Sequence, residues 1–227
     1  MQVINGQVMI NGEHQPIFPH SERWYILQVP QNIYPDKEKL AELGINSRLD
    51  QQGELTQMDQ SHWIVNITNE KKPNLKLPPG YGITDYISQP EVALFPYYDT
   101  LRHWSADNYG PITIPKKGNT IELNPDNLIR YQRCIEVYEG NKMENRNGQI
   151  LINGSPATSY TFKMNYHWMM GDNRHNSLDS RYWVFVPEDH VVGKESLIWF
   201  SWEGGPRWSR IFKEIRGFVR YNCLTFI

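Results

Sequence analysis

A mainly β fold with a few short helices, a β-rich α+β class, is predicted by three observations. A string bracketed by Asn-Gly pairs occurs twice, aromatic and β-branched runs recur between turn residues, and only a few segments carry helix-end signals. The first copy, Asn5-Gly6-Gln7-Val8-Met9-Ile10-Asn11-Gly12, returns as Asn147-Gly148-Gln149-Ile150-Leu151-Ile152-Asn153-Gly154, identical at six of eight positions. Asn-Gly tolerates the positive φ angles of type I′ turns, so each copy reads as a short strand entered and left through tight hairpins. Further strands are expected at Arg23–Val29, His62–Asn66, Asn119–Leu123, Ser159–Lys163, Tyr166–Met170, Tyr182–Val186 and Leu197–Ser201. Helices are expected over Pro35–Leu43, which stops at Gly44, and from the Ser-x-x-Glu spacing of Ser88–Glu91. The best helix opens at Asn124-Pro125 and runs to about Glu139 before Gly140, with cap, first-turn proline and terminal glycine in order. Trp208, Ile211, Phe212 and Ile215 fall at helical spacing and read as a core-facing stripe. In domain terms, residues 1–45 form a first β segment and 105–227 a β-rich remainder. Residues 46–104, with five prolines and no sustained period, read as an irregular insertion or small subdomain.

Composition excludes several classes. The 227 residues carry 23 Lys+Arg against 25 Asp+Glu, a formal net charge of −2, with no basic run longer than two residues. That balance lacks the footprint of a protein that neutralises many phosphates, so no nucleic-acid partner is expected. No apolar run approaches the ~18 residues of a membrane span, and no targeting signal is visible in the first 30 residues. The chain as given reads as soluble. Two cysteines, Cys134 and Cys223, cannot build a disulfide framework or a four-thiolate zinc site; one bridge and two separate thiols both stay open. The eight Trp, thirteen Tyr and eight Phe supply bulk for a sizeable core.

Chemistry concentrates between Met170 and Trp183, where nine of the ten residues from Asp172 to Arg181 are charged, His, Asn or Ser. The stretch lies between two apolar runs, so its polar groups must find partners against a core. Asp179 and Arg181 can form charge-assisted bonds, and Asp172 and Asn173 suit turn-closing bonds to backbone amides. A calcium loop is excluded, because Arg174 and Ser177 occupy the third and sixth positions counted from Asp172. A local triad of His175, Ser177 and Asp179 has the right residue types, but triads are assembled from distant segments. From the residues alone, a buried polar turn stitching two strands together is the leading reading.

Met169-Met170-Gly171-Asp172-Asn173-Arg174, then Asn176-Ser177, Asp179-Ser180-Arg181-Tyr182-Trp183, Phe185-Val186-Pro187 and Val192-Gly193-Lys194, closely resembles the last signature box of bacterial type I signal peptidases. The match spans about 25 residues at fixed spacing. The flanking Asp107-Asn108-Tyr109-Gly110-Pro111-Ile112, Ile114–Gly118, Ile198–Trp202 and Arg207–Phe212 resemble a long-insert branch of that family. The resemblance implies a signal-peptidase-like β fold with a long insertion. It also implies a membrane-anchored endopeptidase on the outer face of the cytoplasmic membrane, which removes signal peptides from secretory preproteins with a Ser/Lys dyad. Ser177 then matches a serine whose hydroxyl orients the lysine amine, and Gly171 a glycine that leaves room for the lysine. Asp179 and Arg181 match a pair that frames the site, and Asp172, Asn173, Arg174 and Ser180 complete the supporting set.

The departures are equally informative. The family's Ser-Met-x-Pro and Lys-Arg-x-x-Gly-x-Pro-Gly-Asp boxes do not occur in these residues. The resemblance therefore implies a chain that starts just downstream of the lysine, lacks the anchor and both catalytic groups, and is inactive alone. His175 stands where the family often has Asp, Val184 replaces a glycine that usually follows Tyr-Trp, and Glu195 replaces an alanine. Lys116 and Lys117 read as solvated turn lysines with ordinary basicity, so neither replaces the missing base. No cofactor or metal is implied. The rival expectation is a non-catalytic module on the same scaffold that binds peptides or glycans through its aromatic residues.

Overall fold

In the computed structural model, which describes residues 1–47, 56–97, 102–193, 197–202, 204–214 and 223–224, both Asn-Gly pairs of each repeat copy adopt positive φ. In the first copy Asn5 and Gly6 lie at 48° and 75°, and Asn11 and Gly12 at 51° and 88°. These turns link β1 (Gln2–Ile4), β2 (Gln7–Ile10) and β3 (Glu13–His14) into an antiparallel meander, as the bracketed pattern predicts. The chain divides into two compact units, one of residues 1–113 with 170–183, the other of residues 114–169 with 184–227.

The first unit is built on β4 (Glu22–Gln28), whose aromatic and β-branched residues pair along their whole length with β6 (His62–Thr68). The short β5 (Asn46–Ser47) and β7 (Gly82–Asp85) complete an antiparallel sheet in the order β5-β6-β4-β7. Three of its four strands thus come from residues 46–104. One face, with Tyr25, Leu27 and Val29 against Trp63, Val65 and Ile67, closes over Leu40 of α1 (Lys37–Glu42) and Ile45. Each such buried side chain contributes about 1.5–3 kcal/mol. Helix α1 begins where Asp36 accepts the amides of Glu38 and Lys39, within the expected 35–43 window. No helix follows Ser88: its hydroxyl accepts the Asp107 amide and its own N–H binds the Asp107 carboxylate, so the capping groups are used in a long-range contact.

The second unit repeats the meander as β9 (Met143–Arg146), β10 (Gln149–Ile152) and β11 (Ser155–Pro156), after β8 (Thr120–Glu122) and the expected helix. That helix, α2, spans Pro125–Arg133 behind the Asn124 cap and widens into a π-type turn over Cys134–Tyr138 before Gly140. Strand β8 pairs with β12 (Ser159–Thr161), and β13 (Tyr166–Met169) pairs with β14 (Val186–Pro187) and β17 (Cys223–Leu224). Tyr131, Phe162, Tyr166, Trp168 and Phe185 form a continuous buried ring cluster. Cys134 is a buried free thiol there, and burial raises its pKa. β15 (Leu197–Ile198) and β16 (Lys213–Glu214) form a separate hairpin. The expected helical stripe at its far end is only one 3-10 turn, Trp208–Arg210, with Trp208 and Phe212 exposed; Ile215, like Lys194 and Glu195, lies outside the described residues.

The expected strand over Tyr182–Val186 is instead a helical turn, Ser180–Trp183, followed by Val186–Pro187. The carbonyl of Asp179 accepts both the Tyr182 and Trp183 amides, and the chain then reverses at Val184 with φ of 80°. A β-branched residue in that region is strained by about 1–3 kcal/mol. Val184→Gly removes the strain while losing a 4% exposed side chain. The two nearly cancel, giving a net loss of about 1 kcal/mol. Val65→Gly, fully buried on β6 with ordinary φ, is expected to cost several times more; equal costs in denaturant titrations would contradict the strain assignment.

Candidate functional site

The polar stretch from Gly171 to Arg181 lies in the first unit, folded onto the start of β4. Glu22 clasps it from both sides: its N–H donates to the Asp172 carbonyl at 2.8 Å, and its carbonyl accepts the Arg174 amide at 2.9 Å. Its carboxylate also accepts the Asn173 side-chain amide at 3.3 Å, so Asn173 closes the turn through Glu22, not through a backbone amide. The Arg174 guanidinium is pulled below its ordinary pKa by burial and by the neighbouring Arg181 charge, and its Nη1 is buried with no hydrogen-bond partner.

At the centre Asp179, 3% exposed, and Arg181, 1% exposed, form the ion pair that their spacing predicts. Arg181 Nε donates to Asp179 Oδ1 at 2.8 Å and Nη2 to Oδ2 at 2.7 Å, a bidentate fork. The remaining guanidinium donors reach the Ala106 carbonyl at 3.2 Å and the Arg174 carbonyl at 2.6 Å. Asp179 Oδ2 also accepts the Gly171 amide at 3.0 Å, which fixes Gly171 against the pair. Ser180 is fully buried beside them.

Gly171 lies directly beneath Ser177. A Cβ on residue 171 would stand 2.1 Å from Ser177 Oγ and 2.6 Å from its Cβ. The half-buried Ser177 hydroxyl has no hydrogen-bond partner among the described residues and is held only by the turn around it.

The local triad does not form. His175 turns away from Ser177: its Nε2 lies 2.8 Å from Asp107 Oδ2, and its Nδ1 accepts the Trp24 amide at 3.0 Å. Asp107, reached from 68 residues away, also accepts the Ser88 amide at 2.8 Å and Arg23 Nη2 at 3.3 Å. Burial alone would raise its pKa, but the His175 hydrogen bond, the Ser88 amide and Arg23 together hold it below the ordinary carboxylate value. Asp107, Glu22 and Trp24 were not singled out as site residues from sequence; the one signal for Asp107 is its place in the Asp-Asn-Tyr-Gly-Pro flank. Lys116 and Lys117 lie exposed on a turn of the second unit. Among the described residues no three metal-ligating side chains gather, and no helix is long and apolar enough to cross a membrane.

The polar turn is therefore a rigid frame around an unengaged hydroxyl, without a nucleophile–base pair of its own. Comparison with known proteins places similar sequence around it. The family profile described as signal peptidase, peptidase S26, matches residues 113–202. The chain is 54% identical over 50 residues to signal peptidase I of Buchnera aphidicola subsp. Schizaphis graminum, covering 22% of this chain and 16% of that protein. It is 44% identical over 57 residues to signal peptidase I of Haemophilus influenzae, covering 22% and 16%. It is 26% identical over 102 residues to signal peptidase I of Leptolyngbya laminosa, covering 35% and 50%. These matches span at most half the length of the relatives named. No solved structure matches.

Proposed function

We propose that this chain, which is similar to bacterial type I signal peptidases over residues 113–202, forms the extracytoplasmic part of a membrane-associated serine endopeptidase that removes N-terminal signal peptides from exported preproteins. The observation that carries this reading is the placement of the open Ser177 hydroxyl over Gly171, a residue with no side chain, within a frame pinned by Asp179 and Arg181. That space suits a long amine side chain arriving beside a hydroxyl. The nucleophilic serine and the lysine base come from polypeptide preceding these residues. The serine oxygen attacks the peptide carbonyl and its proton passes to the neutral lysine amine, which then protonates the departing amine. Water hydrolyses the resulting ester and restores the serine. Ser177 orients the amine, and desolvation in the closed site keeps that amine neutral.

Expression of the open reading frame extended upstream of the Met1 codon tests this: the product should cleave a preprotein after small residues, with mass spectrometry locating the cut. A second reading has one observation in its favour. Trp199, Trp202, Trp208 and Phe212 are 74%, 63%, 77% and 71% exposed, an aromatic surface fitted to holding a peptide or glycan. Retention of the preprotein without cleavage, in a reading frame that truly starts at Met1, would favour that module.

A further inference from the structure

We propose that His175 and Asp107 form a positioning pair that sets where Ser177 sits, and that His175 does so as a neutral ring protonated on Nε2. This rests on the signal peptidase reading and assigns the pair a part in it. The tautomer follows from the partners. The Trp24 amide can only donate, so Nδ1 must offer a lone pair, and the ring proton is on Nε2, aimed at the Asp107 carboxylate 2.8 Å away. Both side chains are 2% exposed, so no solvent competes for either bond. The ring is also clamped by packing: it stacks on Trp24 at 5.1 Å and meets the edge of Tyr86 at 5.6 Å.

The consequence lies two residues along the chain. Arg174 is anchored through its amide to Glu22 and through its carbonyl to Arg181, and His175 is anchored through both ring nitrogens. Asn176 donates its amide to the Asn173 carbonyl, and Ser177 then follows with an unengaged hydroxyl. The last side-chain anchor before Ser177 is thus His175, and its far end is fastened to Asp107, itself locked by reciprocal bonds with Ser88 and by Arg23. A shift of that anchor moves Ser177 directly. A group displaced by ~1 Å from its working position costs on the order of 10²-fold in rate.

Three replacements of His175 separate the contacts. Asn can still accept from Trp24, Gln can still donate to Asp107, and Phe keeps only the stack. In the full-length enzyme, His175→Phe should lower kcat for a preprotein by about 10²-fold with KM little changed. Asn and Gln should fall between it and the wild type. In a Ser177→Ala background the further loss from His175→Phe should largely vanish, because the pair acts through Ser177. An unchanged kcat in His175→Phe, or the same loss with and without Ser177, would overturn the proposal. Residues 1–227 provide readouts that need no turnover. Nitrogen-15 spectra should show His175 Nδ1 bare and Nε2 protonated, and the Ser177 amide should exchange faster in the Asn and Gln variants. A proton on Nδ1, or unchanged Ser177 exchange, would contradict the pair even if the full-length protein cleaves nothing. Absence of cleavage by the wild type would instead overturn the peptidase reading alone.

Discussion

Arg181→Met should lower the stability of the first unit by about 3–5 kcal/mol, the loss expected when one partner of a buried ion pair is removed. Arg181 fills four acceptor positions: both Asp179 oxygens and the carbonyls of Ala106 and Arg174. Methionine replaces its volume and none of its protons, so a carboxylate that is 3% exposed loses its counter-charge. Hydrogen exchange of the β4 and β6 amides measures the loss within the unit that bears it. The double variant Asp179→Leu/Arg181→Met should cost much less than the sum of the two single changes, since it removes both charges and with them the desolvation penalty. A single-variant loss below about 1 kcal/mol would place the pair in effective contact with water.

In the proposed full-length peptidase, Gly171→Ala should abolish most of the cleavage while leaving the protein folded. The added Cβ meets Ser177 at both Oγ and Cβ. The hydroxyl can rotate away, but the Ser177 Cβ at 2.6 Å cannot, so the turn must move by roughly 1 Å, with an activity loss on the order of 10²-fold. Overpacking of this kind costs about 1–3 kcal/mol. Combining Gly171→Ala with Ser177→Gly deletes the clashing atoms and should restore stability but not activity. Recovery of both would show that the Ser177 hydroxyl has no part in the chemistry.

What was legible in the sequence was local. Asn-Gly pairs readily take positive φ, so both meanders could be drawn from the sequence; Asn124-Pro125 caps the start of α2, and Gly140, at positive φ, follows the π-type turn that extends it. Asp179 and Arg181, two residues apart, could be paired by eye. The failures share one cause: a partner outside the pattern took the groups that the pattern had assigned, twice from far along the chain. Ser88 was spaced to cap a helix, but Asp107 claimed its hydroxyl and amide. Tyr182–Val186 has strand composition, but the Asp179 carbonyl captured the amides of Tyr182 and Trp183 and wound them into a helical turn. His175 was weighed with its neighbours Ser177 and Asp179, whereas its partners, Asp107 and the Trp24 amide, lie 68 and 151 residues away. No periodicity encodes such a contact; only the fold brings the Trp24 amide and the Asp107 carboxylate to the two nitrogens of the His175 ring.

The most direct measurement is of kcat and KM for a preprotein with three proteins in parallel: residues 1–227 alone, the full-length protein, and its Ser177→Ala variant. A frame that braces an amine and a hydroxyl supplied by preceding polypeptide predicts no turnover from residues 1–227, cleavage by the full-length protein, and a lowered kcat at unchanged KM for Ser177→Ala. Cleavage by residues 1–227 that persists after Ser177→Ala would contradict it.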